Sequence, residues 1–209
     1  MRARDRVRHG PDSELIARSG AHLTSLDLSP VSVQMTQRRF ELKGLTAKVQ
    51  QGDAESLPFA DQSFDFIWSW GVIHHSARTG RIVREIARVC SPAGRVCVMV
   101  YNRQALSVGL GVLRDQLLRG GLGRRSIEES LYANTDGYTA RHYVKDQFED
   151  LFRTFFREVS SEICGQESDV LPLPRRLRDA VMRYLPESYA KQAQARRGAF
   201  IVLRARSPE

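Results

Sequence analysis

Apolar and polar positions change their period several times along the first half of the chain, and each change marks an element. Leu23 to Asp27 reads as a short strand. Ser29 and Pro30 then stand as an N-cap and first helical residue, and the helix they open runs to about Lys43, where Gly44 ends it. Leu45 to Gln50 alternates apolar and polar side chains, and Phe64 to Trp70 is apolar and aromatic enough for a buried strand. Ile82, Val83, Ile86 and Val89 share one face of a helix that SPAGR terminates. Arg95 to Tyr101 supplies the next strand. Strands alternating with helices predict an α/β fold, a parallel sheet with helices on both faces.

The second half is less regular. A segment over 104–142 predicts a helical cap, with Leu106, Leu110, Leu113 and Leu117 as one apolar stripe and Ser126 and Glu129 at capping-box spacing. Phe148, Leu151, Phe152 and Phe155 mark an amphipathic helix leading into a strand near Glu158 to Ile163. Arg175 to Leu185 reads as another helix and Ala199 to Ala205 as a final strand. The whole is expected to be a single domain: an N-terminal stretch over 1–10, a core over 11–103, the cap, and a C-terminal part over 143–209.

Charge and cysteine content narrow this picture. The formal net charge is +8, but lysine occurs only at Lys43, Lys48, Lys145 and Lys191, and the arginines are scattered. A nucleic-acid partner needs its basic residues clustered, and they are not. Cys90, Cys97 and Cys164 lack zinc spacing and read as reduced core residues of a cytoplasmic protein. No run of about 18 apolar residues could span a bilayer, and no signal-peptide pattern opens the chain.

Candidate chemistry lies where strands end. A carboxylate at the tip of the second strand of a dinucleotide-type fold can accept both ribose hydroxyls of a nucleoside, and Asp27 has that place; equally, it serves as a loop aspartate capping the helix after LDLSP. GDAESLPF, taken alone, can be a turn that satisfies its own backbone. The adjacent His74 and His75 have no nearby carboxylate or cysteine to complete a metal site, so no metal is expected. A histidine there either packs or takes a proton from a substrate.

Residues 52 to 75, GDAESLPFADQSFDFIWSWGVIHH, resemble the centre of a class I S-adenosylmethionine (SAM) methyltransferase of the UbiE-like, type 11 group. The resemblance covers about Gly10 to Arg103 and, more loosely, the remainder through the final strand. It implies a Rossmann-like sheet with an antiparallel C-terminal strand, SAM as cofactor and a small-molecule methyl acceptor as partner. It also implies a cofactor site of Gly10, Asp27, Leu28, Asp53, Ala54, Ser69 and Trp70, with Asp53 at the adenine amino group and Leu57 and Phe59 beside the ring. His74 and His75 become the candidate catalytic residues, over an acceptor pocket lined by Tyr101, Tyr138, His142 and Tyr143. Neither the acceptor nor an oligomeric state is legible.

One part of the family pattern is missing. The first strand and its GxGxG loop should stand where MRARDRVRHG stands, and that register holds Arg6, Arg8 and Gly10. One permitted codon set for those residues, ATG CGT GCT CGA GAT CGG GTG CGG CAC GGG, reads CVLEIGCGT when shifted by one base, which is an apolar strand followed by a glycine loop. A one-base frame difference near the Pro11 codon is therefore expected to separate this chain from its first motif. The first central strand of the sheet is then missing, with weak or no SAM binding, and the strands ending at Asp27 and Trp70 pair directly or the domain unfolds. The alternative functions are a non-catalytic pseudo-methyltransferase scaffold and an RNA methyltransferase; a nicotinamide dehydrogenase lacks support, since there is no Tyr-x-x-x-Lys dyad.

Overall fold

The computed structural model describes residues 11–118, 126, 129, 130 and 140–208. The chain divides into two compact units, the first ending at Pro58 and the second beginning at Phe59.

In the first unit, α1 (Pro11–Arg18) precedes β1 (Thr24–Asp27), α2 (Pro30–Lys43) and β2 (Lys48–Gln51). The Ser32 amide donates to Ser29 Oγ at 3.3 Å to cap α2, and Gly44, at φ 61°, ends it in the left-handed conformation that glycine adopts freely. β1 and β2 pair in parallel, from Thr24 opposite Lys48 to Asp27 opposite Gln51.

Glu14 joins the two helices. Lys43 donates to both its oxygens at 2.7 and 2.8 Å, Arg39 at 2.7 Å and Arg18 at 3.0 Å. The bonds from Lys43 and Arg39, more than offsetting desolvation, and then that from Arg18 hold its pKa at about 2. Because the folded value lies below the ordinary 4.5, the stabilisation is complete above the ordinary value and fades as pH falls from about 4.5 towards 2. Glu14→Gln is expected to lower the melting temperature at pH 7 and to leave it nearly unchanged at pH 2; an equal loss at both pH values, read by circular dichroism, contradicts this.

The second unit carries a sheet in the order β3–β4–β7–β6, with the short β5 on β4. The elements are β3 (Phe64–Trp70), a 3-10 turn (Ile73–His75), α3 (Thr79–Val89), β4 (Cys90–Asn102), α4 (Leu106–Leu118), β5 (His142–Tyr143), α5 (Lys145–Arg153), β6 (Phe156–Cys164), α6 (Glu167–Val170), α7 (Arg175–Met182), α8 (Glu187–Arg197) and β7 (Phe200–Pro208). β3 runs parallel to β4, while β7 is antiparallel to β4 and β6. The core is built from Val96, Val98, Val100, Ile201 and Leu203 of the central strands, with Ile82, Val83, Ile86 and Val89 of α3 and Phe148 and Phe152 of α5. Cys97, Met99 and Val202 form a further cluster with Cys164 and Phe200. Burial raises the pKa of all three thiols, which keeps them protonated and unreactive.

Several expectations change. The described strands form two sheets, not one, and β1 and β3 do not pair with each other. β3 is held within its own unit: Arg88 of α3 bonds the Phe59 carbonyl and Asp61, and the Gln62 amide donates to the Arg88 carbonyl at 2.9 Å. β3 ends the strand order and is an edge strand among the described residues, and Phe66, Trp68 and Trp70 along it are 46%, 39% and 39% exposed, although a buried strand was expected there. SPAGR does not separate helix from strand. Cys90 pairs with Phe64 and Arg95 with Phe66, so the residues between bulge out of β4; a Cβ on Gly94 would lie 2.6 Å from Cys90 Sγ, which is why the bulge takes glycine.

The capping box is present at the cap, with the Glu129 amide donating to Ser126 Oγ at 3.1 Å and the Ser126 amide to Glu129 Oε2 at 2.7 Å. The apolar stripe of α4 is only partly covered: Leu106 is half-buried, while Leu110, Leu113 and Leu117 are exposed. The rest of the cap lies outside the described residues. α6 and α8 carry no strong apolar period and were not foreseen; α6 exists through its own capping box, Gln166 with Asp169.

Candidate active site

β1 and β2 are parallel, so their carboxyl ends share one edge of their sheet, where open α/β sheets take ligands. The Gly52 amide donates to the Asp27 carbonyl at 3.0 Å, and Asp53 is the next residue. A Cβ at position 52 would fall 2.5 Å from Leu26 Cδ1, so glycine lets the turn close over the end of β1. Each aspartate organises its own turn with one oxygen: Asp27 Oδ1 accepts from the Ser29 amide and Asp53 Oδ1 from the Glu55 amide, both at 2.8 Å. Both residues are exposed, and the second oxygen of each has no hydrogen-bond partner among the described residues. Two free carboxylate oxygens at adjoining strand tips suit the hydroxyl and amino donors of a nucleoside. Leu28 is exposed and Ala54 half-buried beside them. Gly10, like Arg6 and Arg8, lies outside the described residues.

A different constellation forms at the carboxyl ends of β3 and β4. Ser69 is buried and its Oγ has no hydrogen-bond partner among the described residues. Trp70 stacks on Trp68, with ring centroids 4.8 Å apart. Gly71, at φ 72°, then turns the chain into the 3-10 turn, which its amide ties to the Met99 carbonyl at 3.2 Å.

His74 on that turn is wholly buried, and neither ring nitrogen has a hydrogen-bond partner among the described residues. Its ring centroid lies 4.2 Å from that of His75 and 4.3 Å from that of Tyr101, whose ring in turn lies 5.6 Å from that of His142. The cluster is assembled by the β4–β5 ladder, which sets Tyr101 opposite His142, and by the Arg141 amide on the His74 carbonyl at 2.9 Å. Burial first, then His75 and His142, press the His74 pKa down to about 3, so the ring is neutral near pH 7. The His142 pKa is lowered by burial and then by Arg103, against a bond to the Ala140 carbonyl that raises it. Arg103, next to β4, is thus a contributor that composition and spacing did not single out.

Tyr143 has a packing role, with its hydroxyl 2.7 Å from Thr79 Oγ1 and its ring 4.9 Å from that of Phe148. Tyr138 lies outside the described residues. No group of three or more His, Cys, Asp or Glu side chains is placed to hold a metal among the described residues. No helix of the described chain is long and apolar enough to cross a membrane.

Residues 8–98 match the methyltransferase domain family. The match takes in 91 of the 209 residues, less than half of the chain. The chain is 32% identical over 120 residues to the glycine/sarcosine/dimethylglycine N-methyltransferase of Actinopolyspora halophila, a match covering 55% of this chain and 21% of that one. It is 30% identical over 101 residues to the ubiquinone biosynthesis O-methyltransferase of Azorhizobium caulinodans, covering 48% and 40% of the two chains. The matches span less than half the length of these relatives. Among solved structures, the phosphoethanolamine N-methyltransferase 2 of Haemonchus contortus, in complex with S-adenosylhomocysteine, shares the fold with a TM-score of 0.64 at 16% identity, over 96% of this chain and 47% of that one.

Proposed function

We propose that this chain descends from an enzyme that transfers a methyl group from SAM to a small molecule, and that the chain as written holds the donor weakly. The shared edge of Asp27 and Asp53 carries the reading. Neighbouring strands lie about 4.8 Å apart and each residue advances about 3.3 Å, so carboxylates two residues out of register stand within the reach of one nucleoside. Asp27 would hold the ribose and Asp53 with the main chain of Ala54 the adenine. When bound, SAM supplies an activated methyl group. The protein's part is then to align the acceptor and exclude water. His75, which is exposed, is the imidazole able to pass an acceptor proton to solvent, while His74 serves as a neutral hydrogen-bonding group.

Weak donor binding is inferred from Arg6 and Arg8, which occupy the register of glycines whose lack of a side chain permits close approach to the cofactor. One observation favours a second reading, a binding scaffold without catalysis: the open aromatic row of Phe66, Trp68 and Trp70 on an edge strand. Turnover by a chain with its first motif restored excludes it.

Substitution of the aspartates tests the site directly. In a restored chain, Asp27→Ala and Asp53→Ala are each expected to weaken SAM binding about tenfold to a hundredfold, the range of one or two hydrogen bonds to a charged group. Unchanged affinity in calorimetry for both variants removes the adenosine assignment.

A further inference from the structure

The relatives named above methylate both nitrogen and oxygen, and the ring cluster at the ends of β3 and β4 distinguishes between the two. It runs from His75, which is exposed, through the wholly buried His74 to the half-buried Tyr101 and then His142. Successive rings along this path are tilted by 44°, 41° and 32°, a set of faces against which a planar ligand stacks. At its deepest point stand the two unpartnered nitrogens of His74. Buried polar groups in folded proteins nearly always have partners, so an orphaned imidazole in a candidate site marks the place of a ligand's polar group.

We propose that this cluster is the acceptor site and that it takes a hydroxyl on a planar ring, a phenol or an enol, in preference to an ammonium. This rests on the methyltransferase reading above. A neutral imidazole offers one N–H donor and one acceptor nitrogen, and a hydroxyl is likewise donor and acceptor, so the two satisfy each other. Burial at a pKa of about 3 keeps His74 in that neutral form. The surrounding charge points the same way. The groups that act on His74 are His75 and His142, and the charge that acts on His142 is Arg103, all of them basic. An ammonium entering there meets only basic neighbours among these groups of the described residues, whereas an oxygen that gains negative charge as its proton is shared is stabilised.

Nuclear magnetic resonance of the full 209-residue chain, with labelled imidazole nitrogens, reads this out without turnover. Catechol, 1,2-dimethoxybenzene and benzylammonium are the probes. Catechol is expected to shift the His74 and His142 nitrogens and to bind at least about tenfold more tightly than either of the others, a difference of about 1.4 kcal/mol. Tyr101→Phe should keep this binding, while Tyr101→Ala, or His142→Gln should that variant fail to fold, should reduce it about tenfold. Benzylammonium binding as tightly as catechol, 1,2-dimethoxybenzene matching it, catechol shifting only distant residues, or no catechol binding at all overturns the proposal. SAM is followed separately on the amides of Ala54 and Glu55 in a chain with its first motif restored: loss of that response sinks the adenosine site and leaves the catechol result standing, and the converse holds.

Discussion

Placing a strand and loop of the CVLEIGCGT kind ahead of Pro11 is expected to raise SAM affinity from millimolar or weaker to micromolar, a gain of about 4 kcal/mol. Two effects add. Glycines in place of Arg6 and Arg8 let the backbone approach the donor and turn at dihedral angles other residues resist. The strand itself brings about four apolar side chains, each contributing roughly 1.5 to 3 kcal/mol on burial, against a total domain stability of about 5 to 15 kcal/mol. β1 pairs on one side only, with β2, and β3 on one side only, with β4, among the described residues. Each therefore presents a row of main-chain donors and acceptors that an added strand can use. Calorimetry on both chains, beside sequencing of the gene, decides the matter: micromolar binding by the chain as written, or a second frame that cannot encode the motif, ends the frame hypothesis. A gain in melting temperature without a gain in SAM affinity would separate the strand's role from the loop's.

Local signals were legible and non-local ones were not. Ser29 with Pro30 and Gly44 announced the bounds of α2, and Ile82, Val83, Ile86 and Val89 announced the buried face of α3, because caps and periodicity act within a few residues. Asp27 and Asp53 could be placed at strand tips for the same reason. Which strands pair is set by contacts far apart in sequence, so neither the division into two sheets nor the exposure of Phe66, Trp68 and Trp70 could be read. Periodicity likewise showed that Leu110, Leu113 and Leu117 share a face but not that the three are exposed. The candidate acceptor site shows this most sharply. His74 and His75 were conspicuous as a dipeptide, yet the neutral state of His74 comes from its burial and from His142, which the β4–β5 ladder brings to Tyr101.

Phe148→Ala is expected to cost the second unit about 3 to 5 kcal/mol, a large part of its stability. Phe148 is wholly buried and sits between the ring of Tyr143, at 4.9 Å, and that of Phe152, at 5.2 Å, which continues to Phe156 at 5.9 Å. Removing it opens a cavity among side chains that α5 and β6 hold in place, so little collapse can recover the lost contacts. The melting temperature should fall by roughly 10 °C, given about 2 to 4 °C per kcal/mol for a unit of this size, while Leu113→Ala, at an exposed position, should change stability by no more than about 0.5 kcal/mol. Function should fall with it by a traceable route. Tyr143 is held by Phe148 and by Thr79, and it follows His142 in β5, so loosening Tyr143 frees the strand that carries His142 to Tyr101. The imidazole signals of His74 and His142 should then broaden at temperatures well below the global melt. If they stay sharp until the whole unit unfolds, the aromatic column stabilises the fold without positioning the ring cluster.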